Sequence, residues 1–211
     1  MANIDLMKTV ACWTLVLIFA GRVNAQEIGI APTKIWTDNK EIGNPIGFSV
    51  HLFQPIWKIG LKLEYSFARN ERSYYGILVS GFMMYPSQYS PEPILSQSSF
   101  WSVELSLIIP RIVAYQEFAM NVGGGGSVNR FKGERLGTLS KRKVSLFRED
   151  KFGVFYAISV SREKVFGVPL KLEVLFKHKN LMGSVYATDI EQSFEGSMDM
   201  KEIQFNISYV F

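Results

Sequence analysis

Residues 202–211 constrain the fold more tightly than any other stretch of this chain. Ile203, Phe205, Ile207, Tyr209 and Phe211 occupy one phase of a two-residue repeat, and Glu202, Gln204, Asn206 and Ser208 occupy the other. Successive side chains of an extended strand point to opposite sides, so this segment is a strand with one apolar and one polar face. Similar alternation recurs upstream. Strands are expected at 44–54, 57–68, 74–84, 100–109, 112–129, 151–161 and 168–179, with 202–211 closing the set at eight. Residues 26–43 are partly extended (Ile28, Ile30, Ile35, Trp36) and form a lead-in, with an extra strand as the other reading.

A composition of 47% hydrophobic and 14% aromatic residues excludes a disordered chain. No stretch after residue 25 approaches 18 continuous apolar residues, so no membrane-spanning helix is expected there. Lys8, the apolar run 10–21 and the small residue Ala25 have the layout of a secretory signal peptide over 1–25. That apolar run is too short for the ~20 residues a helix needs to cross a bilayer. The single cysteine, Cys12, lies inside this segment, which leaves residues 26–211 without disulfides or thiolate chemistry. An exported chain rich in Phe and Tyr is then a soluble β-barrel or sandwich, or a barrel whose apolar face meets lipid. Both have the same alternation.

The connections discriminate. Those expected after the second, fourth and sixth strands (69–72, 110–111, 164–167) are short. Those after the third, fifth and seventh (85–99, 130–150, 180–198) are long, and only the first connection departs from the pattern. A transmembrane barrel has short periplasmic turns and longer outer loops in this order. Eleven residues at ~3.3 Å rise and ~45° tilt cover roughly the 25 Å apolar band. With this pattern and a terminal Phe211, residues 44–211 resemble the small eight-stranded outer-membrane barrels of the OmpA, OmpX and OmpW type. The resemblance implies an all-β, antiparallel up-and-down transmembrane barrel. It also implies an outer-membrane address and a carboxyl-terminal assembly signal at Phe205, Ile207, Tyr209 and Phe211.

With the apolar phase in lipid, the other phase fills the lumen. It holds Lys62, Glu64, Glu104, Glu117, Lys171, Glu173, Lys177 and Glu202, with His51, Gln204 and Asn206. Eight strands enclose just enough room for side chains, and charges in so narrow a space must pair. A closed ion-pair plug is expected, and a gated narrow path is the alternative. Trp57, Tyr65, Tyr74, Tyr75, Tyr85, Trp101, Tyr115, Tyr156 and Tyr209 are candidates for interfacial girdles.

Motifs for chemistry are sparse. His51 is expected in the lumen beside Ser49, and His178 on the lipid side near the outer rim, without a Ser or Glu companion in its own strand. S-x-x-K at 140–143 and 161–164 lacks its companion elements, and the glycine run 123–126 lacks the Gly-Lys-Ser/Thr of a phosphate loop. No cofactor or metal is expected. The segment between Lys132 and Lys151 carries seven basic residues against three acids, which on the outer face would meet lipopolysaccharide phosphates. Nucleic acid is an improbable partner for an exported chain. The sequence thus points to a non-enzymatic barrel with a structural or surface-interaction role, inserted by the barrel-assembly machinery. A narrow channel or a lipid-modifying enzyme using His51 or His178 are the alternatives.

Overall fold

The computed structural model describes residues 26–38, 42–76, 91–141, 143–187 and 192–211, with side chains omitted at a few of these; the proposed signal peptide at 1–25 lies outside them. Eight antiparallel strands follow one another: β1 (Glu27–Thr37), β2 (Ile46–Ile56), β3 (Ile59–Gly76), β4 (Glu92–Tyr115), β5 (Phe118–Gly137), β6 (Lys143–Arg162), β7 (Leu170–Ala187) and β8 (Gln192–Val210). Each pairs with its sequence neighbours, and β1 pairs with β8 to close the ring. Closure leaves no edge within the ring, the condition for spanning lipid with strands.

The count of eight survives two compensating changes. The lead-in at 26–43 supplies β1, with Glu27 opposite Phe53 on one side and Val210 on the other, so the barrel begins near residue 27 and not at 44. The strands expected at 57–68 and at the start of 74–84 are one strand, because β3 pairs with β4 without a break from Gly60 to Gly76. Arg69, Asn70, Glu71 and Arg72, read as a turn, continue the ladder. Polar composition alone does not break a strand that β4 pairs through this stretch. Residues 77–84 lie outside the described set.

A second displacement occurs at Pro110 and Arg111. β4 passes through them with a register irregularity between Ile109 and Val113, and the reversal comes at Gln116 and Glu117. Arg111 and Gln116 both sit in the left-handed backbone region, at φ 55° and 52°. The basic segment 130–150 is not a loop. β5 runs to Gly137 and β6 starts at Lys143, so most of it is an antiparallel ribbon.

These pairings give the barrel two unlike ends. Trp57 with Lys58, Gln116 with Glu117, and residues 163–169 with a 3-10 turn at Val165–Gly167 make tight connections at the end where β1 starts and β8 finishes. At the other end β3 continues seven residues beyond Arg69, the partner of the first residue of β2. The asymmetry expected in loop length is realised mainly as strand extension.

The faces sort cleanly. Ile30, Leu105, Leu107, Val154, Phe205 and Ile207 are each half or more exposed on the outer wall, whereas Glu64, Glu104, Lys177, Lys179 and Glu202 are buried inside. Contiguous apolar area this large on the outside, with charges in the centre, is the inverse of a soluble barrel. Among the described residues no helix is long and apolar enough to cross a membrane, which says nothing of strands.

Candidate functional site

The site with concentrated chemistry is the lumen, built by inward side chains from every strand. Five carboxylates (Glu27, Glu64, Glu104, Glu173, Glu202) and five lysines (Lys62, Lys151, Lys171, Lys177, Lys179) line its spanning length, all but Lys171 almost fully buried. The two signs balance, as a narrow low-dielectric space requires.

The centre of this network is a cluster of three carboxylates and three ammonium groups. Lys177 Nζ donates to Glu64 Oε1 at 2.5 Å and to Glu104 Oε2 at 2.8 Å. Lys179 bridges Glu104 and Glu202, the latter at 2.5 Å. Lys62 sits 2.9 Å from the second Glu64 oxygen, and Gln204 Nε2 donates to both Glu64 and Glu202 at 2.5 Å. Alternation explains how the partners meet. Lys177 and Glu202 are register partners across β7 and β8, as are Glu64 and Glu104 across β3 and β4. The like-charged Glu64–Glu104 pair is tolerable because Lys177 reaches across the barrel between them.

A second group lies nearer the tight-turn end. Lys171 Nζ donates to both Glu27 oxygens, at 2.9 and 3.2 Å, and Glu173 accepts from Ser159 Oγ at 2.5 Å and Asn206 Nδ2 at 3.0 Å. His51 Nε2 lies 3.3 Å from Glu27 Oε1 and 3.2 Å from Ser208 Oγ. Serine and glutamate therefore meet the same ring nitrogen. A proton relay needs the acid on one nitrogen and the nucleophile on the other.

Towards the opposite end the filling changes character. Ile35, Ile42, Ala68, Phe100, Phe131, Leu181, Met198 and Met200 form one buried apolar cluster. Phe100 and Phe131 meet with ring centroids 4.9 Å apart. Ile42 comes from the β1–β2 connection, and its carbonyl accepts from Ser98 Oγ at 2.7 Å and Asn70 Nδ2 at 3.1 Å, which ties that connection across the mouth. Lys179 lies 5.7 Å from the Phe100 ring, where the charged and apolar layers join.

Of the residues expected to face the lumen, Lys62, Glu64, Glu104, Lys171, Glu173, Lys177 and Glu202 do so, with His51, Gln204 and Asn206. Glu117 does not. It occupies the β4–β5 turn outside the barrel and pairs with Arg162, because the strand expected at 112–129 is cut by that turn. Glu27, Lys151 and Lys179 belong to the network and were missed. Glu27 lay in the lead-in, Lys151 closed the basic segment, and Lys179 follows Lys177 in phase, a signal that was available.

His178 is on the outer wall as expected, and its companions come from neighbouring strands. Tyr156 Oη lies 2.9 Å from Nδ1, and Asp199 Oδ1 lies 3.7 Å from Nε2, beyond hydrogen-bond reach. Among the described residues no cluster of three or more metal-ligating side chains exists. Phe205, Ile207, Tyr209 and Phe211 line the outer wall, and the Phe211 amide donates to the Gln26 carbonyl at 2.9 Å.

Solved structures similar in shape share this architecture. Neisserial surface protein A matches with a TM-score of 0.51 at 14% identity, over 88% of this chain and 95% of that one. A major outer membrane protein from Thermus thermophilus also gives 0.51, at 9% identity, over 88% and 98%. The fold is that of the small outer-membrane β-barrels. No protein-family model matches the chain, and no curated protein matches it by sequence. At these identities the likeness extends to the fold, and the outer-membrane barrel's role has to be argued from its own residues.

Proposed function

We propose that this outer-membrane barrel has a sealed lumen and no enzymatic activity, and that it acts at the cell surface through the sheet its strands carry beyond the membrane. The carrying observation is the filling of the lumen by two successive layers, balanced ion pairs and then the Phe100–Phe131 cork. Tight turns belong on the periplasmic side of such a barrel, which puts the extended ends of β3–β8 outside the cell. Among the described residues, β3 from Asn70 to Gly76 pairs only with β4, and β8 from Gln192 to Met198 only with β7. Unpaired strand edges recruit extended segments of partner chains. Exposed Tyr74 and Tyr75 lie on that same stretch of β3.

The non-enzyme reading is supported by the geometry of both histidines. His51 meets its serine and its acid through one nitrogen, and His178 lacks a bonded acid. Export through a cleaved segment, insertion by the barrel-assembly machinery at Phe211, and contact with lipopolysaccharide complete the proposal. Planar-bilayer recording of the purified barrel tests it. Absence of steady conductance steps is expected, and regular steps from the wild-type protein would contradict a sealed lumen.

A further inference from the structure

The outer wall of β5 carries a feature that the sealed lumen does not require. Gly124 and Gly126 face lipid, in phase with Val122 and Val128. A Cβ on Gly126 would meet nothing nearer than the Gly153 carbonyl oxygen at 3.8 Å, and one on Gly124 only the Phe155 carbonyl oxygen at 3.1 Å. The inward Gly125 differs, since its Cβ would collide with the β4 backbone at Leu105. Packing therefore dictates glycine at 125 but not at 126. The register flanks the two outward glycines with Leu105 and Leu107 on β4 and with Val154 and Tyr156 on β6, all exposed. Two bare positions between two ridges make a shallow furrow along the lipid-facing wall.

Above it the apolar belt ends at Trp101, with Arg130 stacked 4.9 Å from the ring and bonded through two nitrogens to Asp150. One step further out, Lys132 and Arg148 are direct register partners on the same outward face. Like charges opposed across an antiparallel pair repel. Glu134 pairs with Lys132 at 2.6 Å but is shared with Lys143 at 2.7 Å, and Asp150 is held by Arg130, so these two acids face four cations, Arg130, Lys132, Lys143 and Arg148. An anion seated over Lys132 and Arg148 would relieve their repulsion.

We propose that this cation pair and furrow form a binding site for a phosphorylated glycolipid of the outer leaflet. The phosphate lies on Lys132 and Arg148, and an acyl chain descends over Val128 into the furrow at Gly126 and Gly124. The scale fits: six residues from Lys132 to Gly126 span about 20 Å at ~3.3 Å rise, or roughly one leaflet of depth at ~45° tilt. The proposal rests on the outer-membrane reading and gives its lipopolysaccharide contact a defined place.

Native mass spectrometry of the full-length barrel in detergent tests it. The probes are a bis-phosphorylated glucosamine disaccharide lipid, its dephosphorylated form and inorganic phosphate. Folding of each variant is checked by heat-modifiable gel mobility. Wild type is expected to retain the phosphorylated lipid about tenfold better than the dephosphorylated one. Lys132→Gln with Arg148→Gln should bring that ratio near one. Gly126→Leu, which fills open space, should weaken both lipids together and leave the ratio unchanged. Equal retention of the two lipids by wild type, binding of inorganic phosphate as tight as the lipid, or indifference to either variant would overturn the site. A wild-type barrel that stays monodisperse in buffer without detergent would instead overturn the membrane reading beneath it.

Discussion

The two halves of the lumen solve one packing problem with opposite chemistry. In the central layer, Glu64, Glu104 and Glu202 are neutralised by Lys62, Lys177 and Lys179, and every group but Lys62, which pairs with Glu64 within β3, depends on partners from other strands. In the cork, Phe100, Phe131, Leu181 and Met200 fill space without any such dependence. Buried ion pairs add little net stability over apolar packing of the same volume, because desolvation offsets the attraction, but removing one partner is costly. The charged layer thus fixes which strands sit opposite one another, and in the proposed sealed lumen the cork is what would exclude water from the mouth.

Substitutions at the two layers should separate these roles. The largest effect is expected at Glu104, which lies between Lys177 and Lys179. Glu104→Ala leaves an uncompensated buried charge and should cost about 3–5 kcal/mol in urea unfolding from lipid vesicles. Adding Lys179→Met should recover much of the loss, and no recovery would break the contrast between the layers. In the cork, Leu181→Ala should cost ~2–3 kcal/mol through the cavity it leaves, with no rescue from removing any charge. The smallest effect is expected at Glu117. Glu117→Gln should change stability by no more than about 0.5 kcal/mol, since the residue pairs with Arg162 on the exposed turn. A loss comparable to that of Glu104→Ala would put Glu117 back inside the barrel.

Glu104 and Glu117 also mark how far the sequence could be read. Alternation within one strand assigns faces reliably, because a period of two leaves no intermediate choice. Glu64, Glu104, Glu173 and Glu202 therefore fell on the correct side. Turns were harder. Arg69 to Arg72 have turn composition yet stay in the ladder because β4 satisfies their backbones, whereas Pro110 and Arg111 fall in the register irregularity of β4, where the Arg111 amide donates to Asn121 Oδ1. The reversal falls at Gln116 and Glu117, which carry no glycine or proline. β1 was obscured by Pro32 and Lys34 on its outward face, which interrupt the apolar phase. The cork was not foreseen at all. Ala68, Phe100 and Phe131 are apolar residues in the inward phase, and only the paired register shows them meeting at one level.

The central claim is that the apolar phase touches hydrocarbon and the polar phase faces inward. The only native cysteine is Cys12, so single cysteines placed along β6 can each carry a nitroxide label in isolation. Collision with dissolved oxygen should be high at 152, 154, 158 and 160 and low at 153, 155, 157 and 159 in vesicle-embedded protein, with a water-soluble relaxant excluded from the first set. Water-soluble relaxant reaching 152, 154, 158 and 160 freely would contradict it.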